Sequence, residues 1–252
     1  MVRFAGVCLA VMFFGLFSAG AGDVAKNVKI TRDGKCLIEN IPQVSQKKSF
    51  CVPASVAMVL RYYDDSISQR KLARLFETDN DGTDPQEILR HIGVGKFSEF
   101  SAKSIYTLTV ADYNAGVQAV LSHKKLKRKD RKKIEAVFPE RMANEVLSQI
   151  PVEVAKEAMF PVYRHTDIAL KKALSYYVAN GIPLLWSVFM CFDPDESSDA
   201  GHMRLIVGFV QKDGILEKII YRDPWGNRTK FKEMDYSNAV VMTHSLFVIT
   251  RE

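Results

Sequence analysis

The stretch Gly201–Asp223, GHMRLIVGFVQKDGILEKIIYRD, decides the fold. It holds two runs rich in branched and aromatic residues, separated by Asp213-Gly214. That dipeptide suits the positive φ angles of a type I′ turn, so the stretch predicts an antiparallel hairpin. A two-residue turn sets Lys212 against Ile215. Carried down the strands, the same register puts Arg204 across from Asp223 and His202 across from Trp225. Asp223 then lies diagonally opposite His202 on one face, about 7–8 Å away at the backbone and within side-chain reach. Slipping the register by one residue would put the two on opposite faces. Arg204 gives Asp223 a second role as an ion-pair partner, and one carboxylate can serve both.

Outward from the hairpin, PLLWSVFM (Pro183–Met190) and LFVIT (Leu246–Thr250) also read as strands. Ahead of them the pattern is helical. In CVPASVAMVLRYYD (Cys51–Asp64), Val52, Val56, Val59, Leu60 and Tyr63 recur at helical spacing, and Pro53 suits the first helical position. Cys51 is expected just outside this helix, facing its positive end. Further helices are predicted over Ser68–Glu77 and from Asp84-Pro85-Gln86-Glu87, with Asp84 as N-cap and Glu87 completing a capping box, to near Gly93. Another runs from Asp167, as its cap, through Ala179. Helices first and antiparallel strands afterwards predict an α+β architecture, with a compact helical N-terminal third.

The 252-residue chain opens with MVRFAGVCLAVMFFGLFSAGAG, which has basic Arg3, an apolar run Phe4–Phe17, and Ala19 and Ala21 before a cleavage site. Residues 1–21 read as a signal peptide, because the apolar run falls short of the roughly 20 residues a membrane span needs. Residues 22–252 form one expected domain, secreted or periplasmic. Cys36, Cys51 and Cys191 remain, so at least one thiol has no intramolecular partner. Cys51 is the candidate free thiol, and Cys36 with Cys191 are either bridged or separately buried. No close pair of cysteines suggests zinc, and no metal or organic cofactor is implied.

The net charge of +6 is local. His123–Lys133, HKKLKRKDRKK, carries Lys124, Lys125, Lys127, Arg128, Lys129, Arg131, Lys132 and Lys133 against one Asp, and the rest of the chain is close to neutral. With no aromatic residues interleaved, this run is a solvated helix face or a patch for an anionic surface, and specific nucleic-acid binding is not expected. It sits in an interrupted helical, basic insertion at about residues 111–160, broken also by Pro139.

A thiol at a helix N-terminus tends toward thiolate. It needs a base, and the base needs an orienting group. Of five histidines, His91, His123, His165 and His244 sit where packed or solvated rings are the default, whereas His202 opens a strand beside Asp223. An acceptor for its far nitrogen fixes the tautomer that can take a proton from sulfur. Gln46 is the candidate oxyanion donor together with the Cys51 backbone N–H, with Gln43 as the alternative and Ser45 a weaker one.

IPQVSQ, CVPASVAMVLRYYD, GHMRLIVGF and YRDPWGN together resemble the papain-like cysteine peptidases of the bacteriocin-processing, double-glycine leader family, in its stand-alone exported branch. The resemblance implies a papain-like fold, with the Cys helix packed on a C-terminal antiparallel sheet. It also implies hydrolysis of peptide bonds by Cys51, His202 and Asp223, with Gln46 as oxyanion donor. Val52 stands where family members usually have Gly. That departure favours a catalytically inactive peptide-binding module as one alternative, and a cell-wall amidase or peptidoglycan peptidase is the other.

Overall fold

The computed structural model describes residues 27–138, 143–195, 198–225 and 231–252. The predicted signal peptide and Pro139 lie outside them. In chain order the elements are β1 (Val28–Ile30), β2 (Lys35–Ile38), α1 (Cys51–Tyr62), α2 (Gln69–Leu75), α3 (Glu87–His91), β3 (Phe100–Thr107), α4 (Val110–Leu121), α5 (Arg128–Val137), α6 (Ala143–Leu147), α7 (Val152–Met159) and α8 (Arg164–Tyr176). They are followed by β4 (Leu184–Phe189), β5 (Gly201–Lys212), β6 (Ile215–Arg222), β7 (Lys232–Asp235), α9 (Tyr236–Met242) and β8 (Thr243–Arg251). The architecture is α+β, as the order of sequence patterns predicts.

One antiparallel sheet runs β1-β2-β5-β4-β8-β3, and β6 then β7 extend it from the other edge of β5. β5 is its axis. Along one edge β5 pairs with β4 over Gly201–Ile206 and then with β2 over Gly208–Val210. β2 comes so close that a Cβ on Gly208 would lie 2.4 Å from the Cys36 carbonyl oxygen, which only glycine avoids. β4 and residues 202–209 of β5 are buried without alternation, the signature of strands covered on both faces.

The β5–β6 hairpin turns at Asp213 (φ 50°) and Gly214 (φ 81°), and Lys212 pairs with Ile215 as predicted. The register shifts between Val210 and Gln211 and shifts back between Ile206 and Gly208. The two irregularities cancel. Leu205 therefore pairs with Arg222, the pairing a regular hairpin would give, and Arg204 and His202 keep their predicted places relative to Asp223.

α1 is buried from Val52 to Leu60 and packs against β5 and α2. Its apolar run leaves no solvent face, which suits a central helix. Ser55, the polar exception, donates its hydroxyl to the Met203 carbonyl at 3.1 Å and fixes α1 against β5. The predicted helical insertion resolves into α4 to α7, whose Val117, Val120, Ile134, Leu147 and Met159 join the same core as the sheet. Within α5, which carries most of the basic run, only Ile134 is buried.

Several local expectations need correction. The N-terminal third is not purely helical, since it contributes β1, β2 and β3. Asp84 caps no helix: its carboxylate accepts from the Gln86 N–H in a local turn, and Glu87 is spent on Arg90 and His91 instead of a capping box. Asp167 lies inside the first turn of α8, with its N–H on the Tyr163 carbonyl, and its own carboxylate and carbonyl accept from the Tyr236 hydroxyl. Cys36 and Cys191 are separately buried, and no disulfide joins them.

Candidate active site

Cys51 is the first residue of α1, one position further in than its sequence suggests. Its N-cap residue, Phe50, makes no side-chain capping hydrogen bond and so leaves the leading N–H groups of the helix to other partners. The approach is tightly held. Ser49 adopts φ 63° and its hydroxyl donates to the Asn80 carbonyl at 2.8 Å. That left-handed turn, uncommon for a residue with a side chain, swings the chain into α1.

His202 enters from the start of β5, beside the Met203 that Ser55 clamps. Its Nε2 lies 2.9 Å from Asp223 Oδ1, with both side chains almost fully buried. Its remaining nitrogen, Nδ1, is left for the Cys51 sulfur, to which the ring is hydrogen-bonded. Thiol, imidazole and carboxylate thus come together from α1, β5 and the end of β6. Trp225 covers the pair, its ring 5.3 Å from that of His202.

Asp223 is held as an anion by several donors. Oδ1 also accepts from the Trp225 N–H at 2.8 Å, and Oδ2 accepts from Arg204 Nε at 3.0 Å. Lys232 Nζ stands 3.6 Å away. Burial pushes the Asp223 carboxyl up, but His202, Arg204 and the Trp225 N–H outweigh it and hold it well below the usual carboxylate range. Burial disfavours the His202 cation, yet Asp223 and Cys51 outweigh that and raise the ring above its ordinary value. For Cys51 burial again opposes charge. The hydrogen bond and charge of His202, with hydrogen bonds from the Met203 and Val52 backbones, bring the thiol below its ordinary range. At Cys36 and Cys191 burial dominates instead and lifts them to about 11 and about 12.

Of the predicted oxyanion donors, Gln43 is engaged elsewhere. Its Nε2 donates to the Asp223 carbonyl at 2.9 Å and its Oε1 accepts from Arg222 at 3.2 Å. Ser45 offers its carbonyl to Gln69 at 2.7 Å. Gln46 anchors through its backbone, N–H to the Pro224 carbonyl at 2.7 Å, while its buried Oε1 has no hydrogen-bond partner among the described residues. A half-turn of the carboxamide exchanges that oxygen for the NH2. Residues 43–46 are thus laced to 222–224, which couples the approach to Cys51 with the exit from Asp223.

A cleft of about 330 Å³ opens beside the sulfur, lined by Cys51, Val52, Thr83, Phe189, His202 and His244 among others. His244 on β8 was not singled out in the sequence. Its Nδ1 lies 3.2 Å from the Ser245 hydroxyl and 3.4 Å from that of Ser187, and burial lowers its proton affinity, so it presents a neutral ring. Ser55 also escaped the sequence reading. It had a signal, as the one hydroxyl in the apolar run Val52–Leu60.

No curated protein matches the chain in sequence. Among solved structures it is similar to the peptidase domain of Streptococcus ComA, a bi-functional ABC transporter involved in a quorum sensing pathway, at 13% identity and a TM-score of 0.44, over 84% of this chain and 100% of that domain. That likeness is too slight to bear on what this chain does. Residues 38–244, which contain Cys51, His202 and Asp223, match the Peptidase_C39 like family, and on that span, most of its length, the protein belongs to this family.

Proposed function

We propose that the protein is a cysteine peptidase whose nucleophile is Cys51, whose general base and acid is His202, and whose orienting carboxylate is Asp223. The observation that carries this reading is the buried 2.9 Å contact between His202 Nε2 and Asp223 Oδ1, which commits the other ring nitrogen to sulfur. In the proposed cycle His202 Nδ1 accepts the Cys51 proton and the thiolate attacks a peptide carbonyl. The new oxyanion is held by the Gln46 carboxamide and the Cys51 backbone N–H. The imidazolium then gives its proton to the leaving amine, leaving a thioester. Water, deprotonated by His202, hydrolyses that thioester and frees the sulfur.

Family membership supports a peptide or protein substrate. The depressed Cys51 thiol weighs against the binding-only alternative, since a module that merely holds peptides has no use for a thiolate. The test compares the protein with its Cys51→Ala variant on a proteome-derived peptide library by mass spectrometry. Bonds cut only by the wild type support the reading, and identical digests refute it.

The leader-like composition of residues 1–21 supports export, checked by N-terminal sequencing of the mature form. The exposed cations of α5 support an anionic-surface contact, checked by steep salt dependence of retention on anionic vesicles.

A further inference from the structure

Where β8 runs past the cleft it carries one residue more than β4 matches. Ser245 pairs with Ser187 and Thr243 pairs with Val188, so His244 is the extra residue of a β-bulge. Thr243 takes the place across from Val188, where its hydroxyl accepts from Trp186 Nε1 at 2.8 Å and donates to the Ala239 carbonyl at 2.7 Å. His244 is thereby turned out of the ladder, and its ring lines the cleft together with Cys51 and His202. Re-aiming a side chain beside a site is what bulges commonly do.

The ring is braced. Phe189 meets it edge-on at 5.2 Å, and Nδ1 lies 3.2 Å from the Ser245 hydroxyl and 3.4 Å from that of Ser187. Both serines are buried, and neither hydroxyl has another hydrogen-bond partner among the described residues. A buried hydroxyl needs an acceptor for its proton, and Nδ1 is the acceptor these two are given. Nδ1 therefore accepts and carries no hydrogen. Burial keeps the ring neutral, so its one proton sits on Nε2, which makes no hydrogen bond among the described residues. A donor is thus held in one orientation before any ligand arrives, which spares the cost of ordering it on binding.

The cleft also indicates what that donor meets. Its titratable lining among the described residues is Cys51, Asp81, His202 and His244, with no lysine or arginine. A substrate carboxylate would face Asp81 without a fixed cation, whereas a neutral carbonyl matches a neutral donor. The carbonyl under attack is already provided for by Gln46 and the Cys51 N–H. We propose that His244 is a substrate-binding residue: its Nε2–H donates to a main-chain carbonyl of the bound peptide that flanks the scissile bond. The inference rests on the peptidase reading, because it takes the occupant of the cleft to be a peptide.

The test uses a synthetic peptide spanning one bond that the wild type cuts in the proteome-derived library. His244→Phe keeps a flat ring and removes the donor; KM is expected to rise about tenfold with kcat held within about twofold, since a hydrogen bond made alike in the bound peptide and the transition state is uniform binding. His244→Gln restores an N–H donor and is expected to bring KM back to within about threefold of wild type. Iodoacetamide labelling of Cys51 should be unchanged in both variants. An unmoved KM in His244→Phe, an equal rise in both variants, or slower Cys51 labelling overturns the proposal. Should His244→Phe not fold, nitrogen NMR of the histidine-labelled Cys51→Ala protein decides. The His244 proton is expected on Nε2, with a signal that moves when the peptide is added, and a proton on Nδ1 or an unmoved signal overturns the proposal. A wild type that cuts no bond in the library is a separate failure, that of the peptidase reading itself.

Discussion

His202 and Arg204 stand two residues apart on β5 and grip opposite oxygens of one carboxylate, Asp223, at 2.9 and 3.0 Å. Side chains two apart on a strand share a face, so a single strand supplies both the proposed base and the cation on the other oxygen of its partner. The two contacts foreseen for Asp223, with His202 and with Arg204, coexist because a carboxylate has two oxygens and each takes one of them.

Replacing Asp223 by Asn tests that division. The amide keeps the shape but loses the charge that fixes the imidazole tautomer, and kcat is expected to fall by about 10²–10⁴ while some turnover remains. Stability follows the protons. The depressed Asp223 contributes stability above about pH 4 that is lost as pH falls through its native value, and the raised His202 contributes stability below about pH 6.5 that is lost as pH rises through its native value. Thermal unfolding should therefore show a maximum between those limits, flattened on both sides in Asp223→Asn.

The two glutamines are expected to separate cleanly. Gln46→Ala should lower kcat by about 10²–10³ with little change in melting temperature, as for loss of an oxyanion donor. Gln43→Ala removes both the hydrogen bond to the Asp223 carbonyl and that from Arg222, and should lower the melting temperature as well. Steady-state kinetics alongside thermal melts read the difference. The opposite pattern would exchange their roles.

Ser55→Ala should cost about 1–3 kcal/mol, because it strands the buried Met203 carbonyl one turn away from the nucleophile. Denaturant unfolding measures the loss. Activity should also fall, since α1 carries Cys51 and β5 carries His202.

Much of this site was legible before folding because its parts lie on strong local patterns. The apolar run after Cys51 reads as a buried helix, and Asp213-Gly214 sets the hairpin register. Even so, that register survives two shifts which no sequence pattern announces and which happen to cancel between Val210 and Ile206. β3 was missed because it is a partly exposed edge strand paired only with the distant β8, and β1 and β2 are three and four residues long. The capping roles given to Asp84 and Asp167 failed because competing partners, the Gln86 N–H and the Tyr236 hydroxyl, took those carboxylates. The contact between Asp193 and Arg204 at 2.6 Å lay outside any local rule, since it forms only across the β4–β5 connection.

The most direct test of the central claim is the rate of iodoacetamide labelling of Cys51 against pH, resolved by mass spectrometry, in the wild type and in His202→Ala. Wild-type Cys51 should titrate below the ordinary thiol value of about 8.5, and the variant should return to that value or above it. Cys36 and Cys191 should stay inert in the native protein. An ordinary Cys51 titration in the wild type, or one unchanged by loss of the imidazole, would contradict the account.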